Sequence, residues 1–152
     1  MTSISLSDVN KVYTMGYEGK GFDEFLELLE KYSIKQVLDV RSYPTSKRNE
    51  FSKDDLKEEL FKASIKYRHL AQLGGLRNKD YRKIMKEEKW RKAFEKLKNL
   101  AKEKKTVILC LESNPMRCHR RFIAEKLEKE GWEVIHIGEG GSWKEKKLDD
   151  FR

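Results

Sequence analysis

Five short apolar runs, each separated from the next by a segment of helical periodicity, leave this chain few folds to choose from. The runs are Lys11 to Gly16 (with Val12, Tyr13 and Met15), Ile34 to Val40, Ile65 to Leu70, Thr106 to Leu111 and Trp132 to Ile137. Runs this short, rich in β-branched and aromatic residues, suit strands. Strands that alternate with helices need crossovers, and crossovers make a parallel sheet covered on both faces. The pattern therefore predicts an α/β three-layer sandwich with a mostly parallel, Rossmann-like sheet of about five strands. Right-handed crossovers restrict the topology further, and the best order is 3-2-1-4-5. Thr106 to Leu111 is the most apolar run and belongs at the sheet centre.

The intervening segments carry helix signals. Phe22, Phe25, Leu26 and Leu29 recur at helical spacing, with Asp23 and Glu24 in the first turn where the dipole favours acids. Ser52 to Asp55 matches a capping box with Asp in place of Glu, opening a helix to about Ala63. Leu73-Gly74-Gly75-Leu76 reads as a turn, and a short helix follows around Tyr81 to Lys86. Trp90, Ala93, Phe94, Leu97 and Leu100 mark a longer helix. Arg120 to Glu130 forms another, ended by Gly131. No repeat or linker interrupts the chain, so one domain is predicted over residues 1–152, with loose ends at about 1–10 and 143–152.

No apolar run approaches the roughly 18 residues that a membrane span requires. The Met-Thr-Ser-Ile-Ser-Leu start has neither the basic nor the apolar region of a secretory signal, so a cytoplasmic location is expected. Two cysteines are too few for a disulfide scaffold. Lys and Arg number 34 against 26 Asp and Glu, a net charge of +8 that favours anionic partners or simply solubility.

In an open parallel sheet, ligands bind beyond the carboxyl ends of the strands, near the point where strand order reverses. Gly16, Tyr17 and Glu18 follow the first strand; Asp39-Val40-Arg41 ends the second; His69 lies near the end of the third; Cys110 and Glu112 end the fourth. The unusual polar residues thus converge on one edge. Tyr17, Asp39, Arg41, Glu112, Cys118 and Arg120 are expected to line one cleft there.

Cys118-His119-Arg120 stand where a helix begins, with Arg117 and Arg121 nearby. Helix N-termini attract anions, and the dipole with the guanidinium groups favours a thiolate. Cys118 is thus a candidate nucleophile, or else a half-buried small hydrophobe. Cys110 ends an apolar strand and reads as structural. Glu112 is a general base, a ribose-hydroxyl acceptor or an orienting ion-pair partner. Asp39 can orient Arg41, which would hold a phosphate or carboxylate. A phosphatase loop also joins a strand-end Cys to a helix, but Cys110 to Arg117 is one residue too long for it. The spacing of Cys110, Cys118, His119, His69 and His136 fits no common zinc pattern, so no metal is assigned. No cofactor and no oligomeric state can be read. Two basic stretches, Arg41 with Lys47 and Arg48, and Arg77 to Lys92 with Tyr81 and Trp90, suit a nucleic-acid backbone and stacked bases.

Thr14-Met15-Gly16-Tyr17-Glu18-Gly19, Asp39-Val40-Arg41-Ser42-Tyr43-Pro44, Ser46-Lys47-Arg48-Asn49 with Phe51, Leu73-Gly74-Gly75-Leu76-Arg77, and Cys110-Leu111-Glu112 with Pro115 and Cys118-His119-Arg120 are together specific. They resemble the family catalogued as domain of unknown function 488, over about residues 12 to 137. The resemblance implies an α/β domain with these signature residues and supplies no reaction. The residues themselves favour a small anionic ligand, phosphorylated or nucleotide-like, at the carboxyl edge. Arg41, Arg120, Asp39 and Gly16 would bind it, and Cys118, Glu112, His119 and Tyr17 would carry any chemistry. The alternative is a nucleic-acid-binding module without catalysis.

Overall fold

The computed structural model of the chain describes residues 10–42, 49–75, 80–112, 118–137 and 145–146. Five strands run parallel: β1 (Lys11–Gly16), β2 (Gln36–Asp39), β3 (Lys66–His69), β4 (Thr106–Cys110) and β5 (Glu133–Ile137). A two-residue β6 (Glu145–Lys146) pairs antiparallel with β5. The helices are α1 (Phe22–Lys31), α2 (Lys53–Lys62), α3 (Tyr81–Ile84), α4 (Glu88–Glu103) and α5 (Arg120–Lys129). Short 3-10 turns precede α2 at Asn49–Phe51 and follow β3 at Ala71–Leu73. Among the described residues, no helix is long and apolar enough to cross a membrane.

The α/β sandwich is as expected, but the strand order is not. The sheet runs β3-β2-β4-β1-β5-β6, with β4 inserted between β2 and β1 rather than outside β1. Central placement suits β4, because all five of its residues are buried. The expected order failed because the β1-to-β2 crossover skips one strand position. Apolar content cannot reveal that gap.

This order determines which face each helix covers. The steps β1 to β2 to β3 move toward one edge of the sheet; β3 to β4 to β5 move toward the other. With right-handed crossovers, α1 and α2 must lie on one face and α4 and α5 on the other. The two cores agree. Val12, Leu38, Ile108 and Val134 pack with Trp90, Phe94, Leu97, Ile123 and Leu127. Their strand neighbours Tyr13, Met15, Val37, Val107 and Ile135 pack with Phe25, Leu29, Leu56 and Leu60 on the opposite face.

Two helix-end signals of the sequence fare differently. Gly131 takes φ +90° just beyond α5, a conformation that favours glycine. Ser52 stands at the N-cap of α2, but its side chain makes no capping bond, so the expected box does not form.

Backbone protection should follow sheet position. Amides of Thr106–Cys110, hydrogen-bonded within the central strand, should exchange only through global unfolding. Those of the edge strand Lys66–His69 should exchange through local opening. Native-state hydrogen exchange with equal protection of the two strands would contradict this placement.

Candidate functional site

Because β4 ends between β1 and β2, its chain leaves toward α5 while both neighbours leave toward the α1 and α2 face. Such a reversal point is where open parallel sheets place their ligand sites. Cys110 lies at that terminus, 1% exposed. Cys118 and His119 lie just before α5, where the Arg121 and Phe122 amides donate to the Cys118 and His119 carbonyls at 3.1 and 3.0 Å. This turn holds both side chains at the start of the helix.

The two sulfurs are 2.8 Å apart. On its other side the Cys118 sulfur is 3.8 Å from His119 Nδ1. His119 Nε2 reaches the Val40 carbonyl at 3.0 Å. A carbonyl only accepts, so Nε2 carries the hydrogen, and in the neutral ring the Nδ1 lone pair faces the thiol. Cys118 is accordingly held well below the usual thiol range. The Cys110 thiol is the largest cause, and the His119 ring and Arg120 add to it against the opposing effect of burial. Burial pushes Cys110 well up, so it stays protonated. Burial alone would lower His119, but the Cys118 thiolate and the Val40 carbonyl raise it on balance. Both directions favour a charged pair, with the proton on His119 rather than on Cys118.

Arg120 sits beneath this pair, 0% exposed. Its NH1 donates to Thr14 Oγ1 at 3.0 Å and its NH2 to the Glu112 carbonyl at 2.8 Å. Thr14 Oγ1 also meets His136 Nδ1. One guanidinium thus joins β1, the end of β4 and α5. Glu112 takes part here through its main chain.

The other expected residues form a second cluster across the sheet. Arg41 donates from Nε and NH2 to the two Asp39 carboxylate oxygens at 2.9 and 2.7 Å. Its NH1 donates to the Tyr17 hydroxyl at 3.3 Å, and the Tyr67 hydroxyl donates to Asp39 at 2.5 Å. Burial would lower the Arg41 pKa, but the Asp39 carboxylate raises it on balance. Burial and then the same carboxylate push Tyr67 up. Tyr17 stacks on Phe51 at 4.3 Å, and His69 Nε2 contacts the Arg41 carbonyl at 2.6 Å. Asp39 therefore occupies one bidentate edge of the Arg41 guanidinium.

Main-chain contacts join the clusters. Gly16 pairs with Cys110 in the ladder, and the Tyr17 amide donates to the Cys110 carbonyl at 3.1 Å. Cys110 and Cys118 pack with the α4 and α5 face, whereas Tyr17 packs with the α1 and α2 face, to which strand alternation from Val37 also directs Asp39.

Several contributors have no clear signal in the sequence. Lys20 is 3% exposed, and its Nζ donates to the Gly16 carbonyl at 2.8 Å. Gly74, legible only as part of a turn, lies against Ser42. A Cβ there would be 2.1 Å from Ser42 Oγ and 2.4 Å from its amide nitrogen. Ser42 Oγ donates to the Gly75 carbonyl at 2.9 Å. Gly75 in turn lies beside the His119 ring, and Tyr81 packs on that ring at 5.3 Å. The double glycine is visible in the sequence; what it touches is not.

The aromatics expected to stack nucleic-acid bases are inside the core. Trp90 is 0% and Tyr81 8% exposed, and Trp90 Nε1 donates to the Tyr81 hydroxyl at 2.7 Å. Lys47, Arg48, Arg77, Pro115 and Arg117 lie outside the described residues. Among the described residues, no three His, Cys, Asp or Glu side chains converge as metal ligands.

Asp39→Ala would leave the Arg41 guanidinium buried without its counter-charge. It should cost about 3–5 kcal/mol in urea unfolding. Tyr67→Phe, which removes one hydroxyl, should cost about 1 kcal/mol. Gly74→Ala should cost about 1–3 kcal/mol, because the new methyl group meets backbone.

A family model described as "Domain of unknown function DUF488" matches residues 21–127. Neither a curated protein nor a solved structure matches the chain. The match covers α1 through most of α5, including Asp39, Arg41, Cys110, Glu112, Cys118, His119 and Arg120. The chain belongs to the DUF488 family.

Proposed function

We propose that this protein binds a small anionic ligand, phosphorylated or nucleotide-like, at the carboxyl edge of its sheet and acts on it through Cys118. The observation that carries this reading is the Cys118–His119 pair, whose Nε2 is fixed on the Val40 carbonyl beside the buried Arg120 cation. A thiolate is the nucleophilic form of cysteine. Cys118 would attack an electrophilic centre of the ligand, and His119 would give its Nδ1 proton to the group that leaves. Arg120 is too deep to touch a ligand at the surface; it supplies positive charge from beneath. Asp39 orients Arg41 as a second cation, and Tyr17 positions it. Gly16 brings the main chain close, and Glu112 shapes the β4 terminus.

The nucleic-acid alternative loses its stacking platform among the described residues, since Tyr81 and Trp90 are enclosed. Thermal unfolding of the reduced protein with inorganic phosphate, a nucleoside monophosphate and a sugar phosphate tests the proposal. A ligand at 100 times its Kd should add about 2.7 kcal/mol of stability. No shift with any of the three would overturn it. A shift with a short oligonucleotide alone, lost in the Lys83→Ala, Lys86→Ala double variant, would favour the alternative.

The thiolate has its own pH signature. The groups facing it are Cys110 from β4, Tyr81 from α3, His119 just before α5 and Arg120 at its start. Its pKa is depressed, so iodoacetamide alkylation of Cys118 should already be at plateau at neutral pH and fall only in acid. An ordinary thiol would still gain rate up to about pH 8.5. Mapping the modified peptide across pH measures this, and Cys110 should lag at every pH.

A further inference from the structure

Cys110 and Cys118 are the two cysteines of the chain, and both are free. They come from different elements, one a rigid central strand and the other the entry to α5. Their sulfurs nevertheless lie 2.8 Å apart, inside the contact distance of two unbonded sulfur atoms. A disulfide needs about 2.05 Å, so the gap closes by under roughly 1 Å, within reach of small side-chain rotations.

Their surroundings differ. Cys110 is 1% exposed and packs in the core. Cys118 is partly exposed and has His119 Nδ1 at 3.8 Å. Cys118 is thus the more exposed of the two and the one with a histidine beside it. That is the division of labour of an attacking thiol and a resolving thiol.

We propose that Cys110 and Cys118 form a reversible redox pair, in which a hydroperoxide oxidises Cys118 and Cys110 resolves it as an intramolecular disulfide. The proposal shares the Cys118 thiolate with the function proposed above but requires no anionic ligand. In the first step, the Cys118 sulfur attacks the outer oxygen of the hydroperoxide and the O–O bond breaks. Sulfur is oxidised to a sulfenic acid and the peroxide is reduced to an alkoxide, which takes a proton from the His119 imidazolium. For hydrogen peroxide the product is water. In the second step, the Cys110 sulfur bonds to the Cys118 sulfur and displaces hydroxide, which leaves as water with the Cys110 proton. Two thiols and one hydroperoxide thus become a disulfide, an alcohol or water, and a second water. A dithiol such as dithiothreitol reverses the bond. Once formed, the disulfide leaves Cys118 without a thiolate, so oxidation would silence the ligand chemistry.

Hydrogen peroxide and tryptic mapping of the full chain test this. Trypsin cuts after Lys105, Arg117 and Arg120, which separates the two cysteines onto peptides 106–117 and 118–120. Treated protein should lose two hydrogens in mass, show those peptides joined, and recover both thiols with dithiothreitol. Cys118→Ser should slow peroxide consumption by roughly tenfold or more, since an ordinary thiol is only slightly ionised at neutral pH. Cys110→Ala should stop at a sulfenic acid that dimedone traps. If that core variant fails to fold, the wild-type peptide map still decides. Two free thiols after treatment, a sulfinic acid on Cys118 without linked peptides, or a disulfide only between chains would each overturn the proposal. Linked peptides with no anion-induced thermal shift would sink only the ligand reading. The reverse result would sink only the redox pair.

Discussion

The carboxyl edge depends on one constraint: β4 is bounded on both sides by strands whose chains leave toward the other face of the sheet. Parallel pairing with β1 and β2 holds Cys110 in register with Gly16 and directs the chain after β4 toward α5. The Tyr17 and Val40 amides donate to the Cys110 and Leu109 carbonyls, so both neighbouring loops start from the β4 terminus. If β4 stood outside β1, Val40 would not lie beside it. His119 would then lose the carbonyl that fixes its tautomer.

Two buried guanidinium groups stabilise this edge in different ways. Arg41 has a carboxylate partner in bidentate geometry, and removing one member of such a pair costs far more than the pair contributes. Arg120 is held by a hydroxyl and a carbonyl, and its charge also favours the thiolate of Cys118. The first arrangement largely satisfies its cation internally. The second also places its charge near the Cys118 sulfur. The two faces of one sheet edge thus contain one cation paired with a carboxylate and one bonded to a hydroxyl and a carbonyl beside Cys118.

The loop after β3 supplies support that strand ends alone do not reveal. Gly74 lets this loop lie against the Ser42 backbone, which brings Gly75 and Tyr81 to the His119 ring. Tyr81 is in turn fixed by the Leu73 carbonyl at 2.7 Å and by Trp90. An aromatic residue whose basic neighbours suggest a surface platform therefore orients the catalytic candidate from inside the core.

The sequence by itself determined the main elements and the edge where the candidate residues gather. Periodicity and turn residues are local, so β1 is legible to the residue and β2 to β5 to within two residues at either end, whereas the two-residue β6 carries no such signal. Strand ends are also local, which is why Tyr17, Asp39, Arg41, Glu112 and Cys118 stand out in the amino-acid sequence alone. Only the tertiary structure decided the position of β4 and the separation of the Arg41 and Arg120 clusters onto two faces. It also decided the approach of Cys110 to Cys118 and the burial of Lys20, Tyr81 and Trp90. These properties come from pairings between segments far apart in the chain. A crossover can skip one strand position or none with the same local pattern, so the order depends on how whole faces pack, and each side chain's neighbours depend on the order.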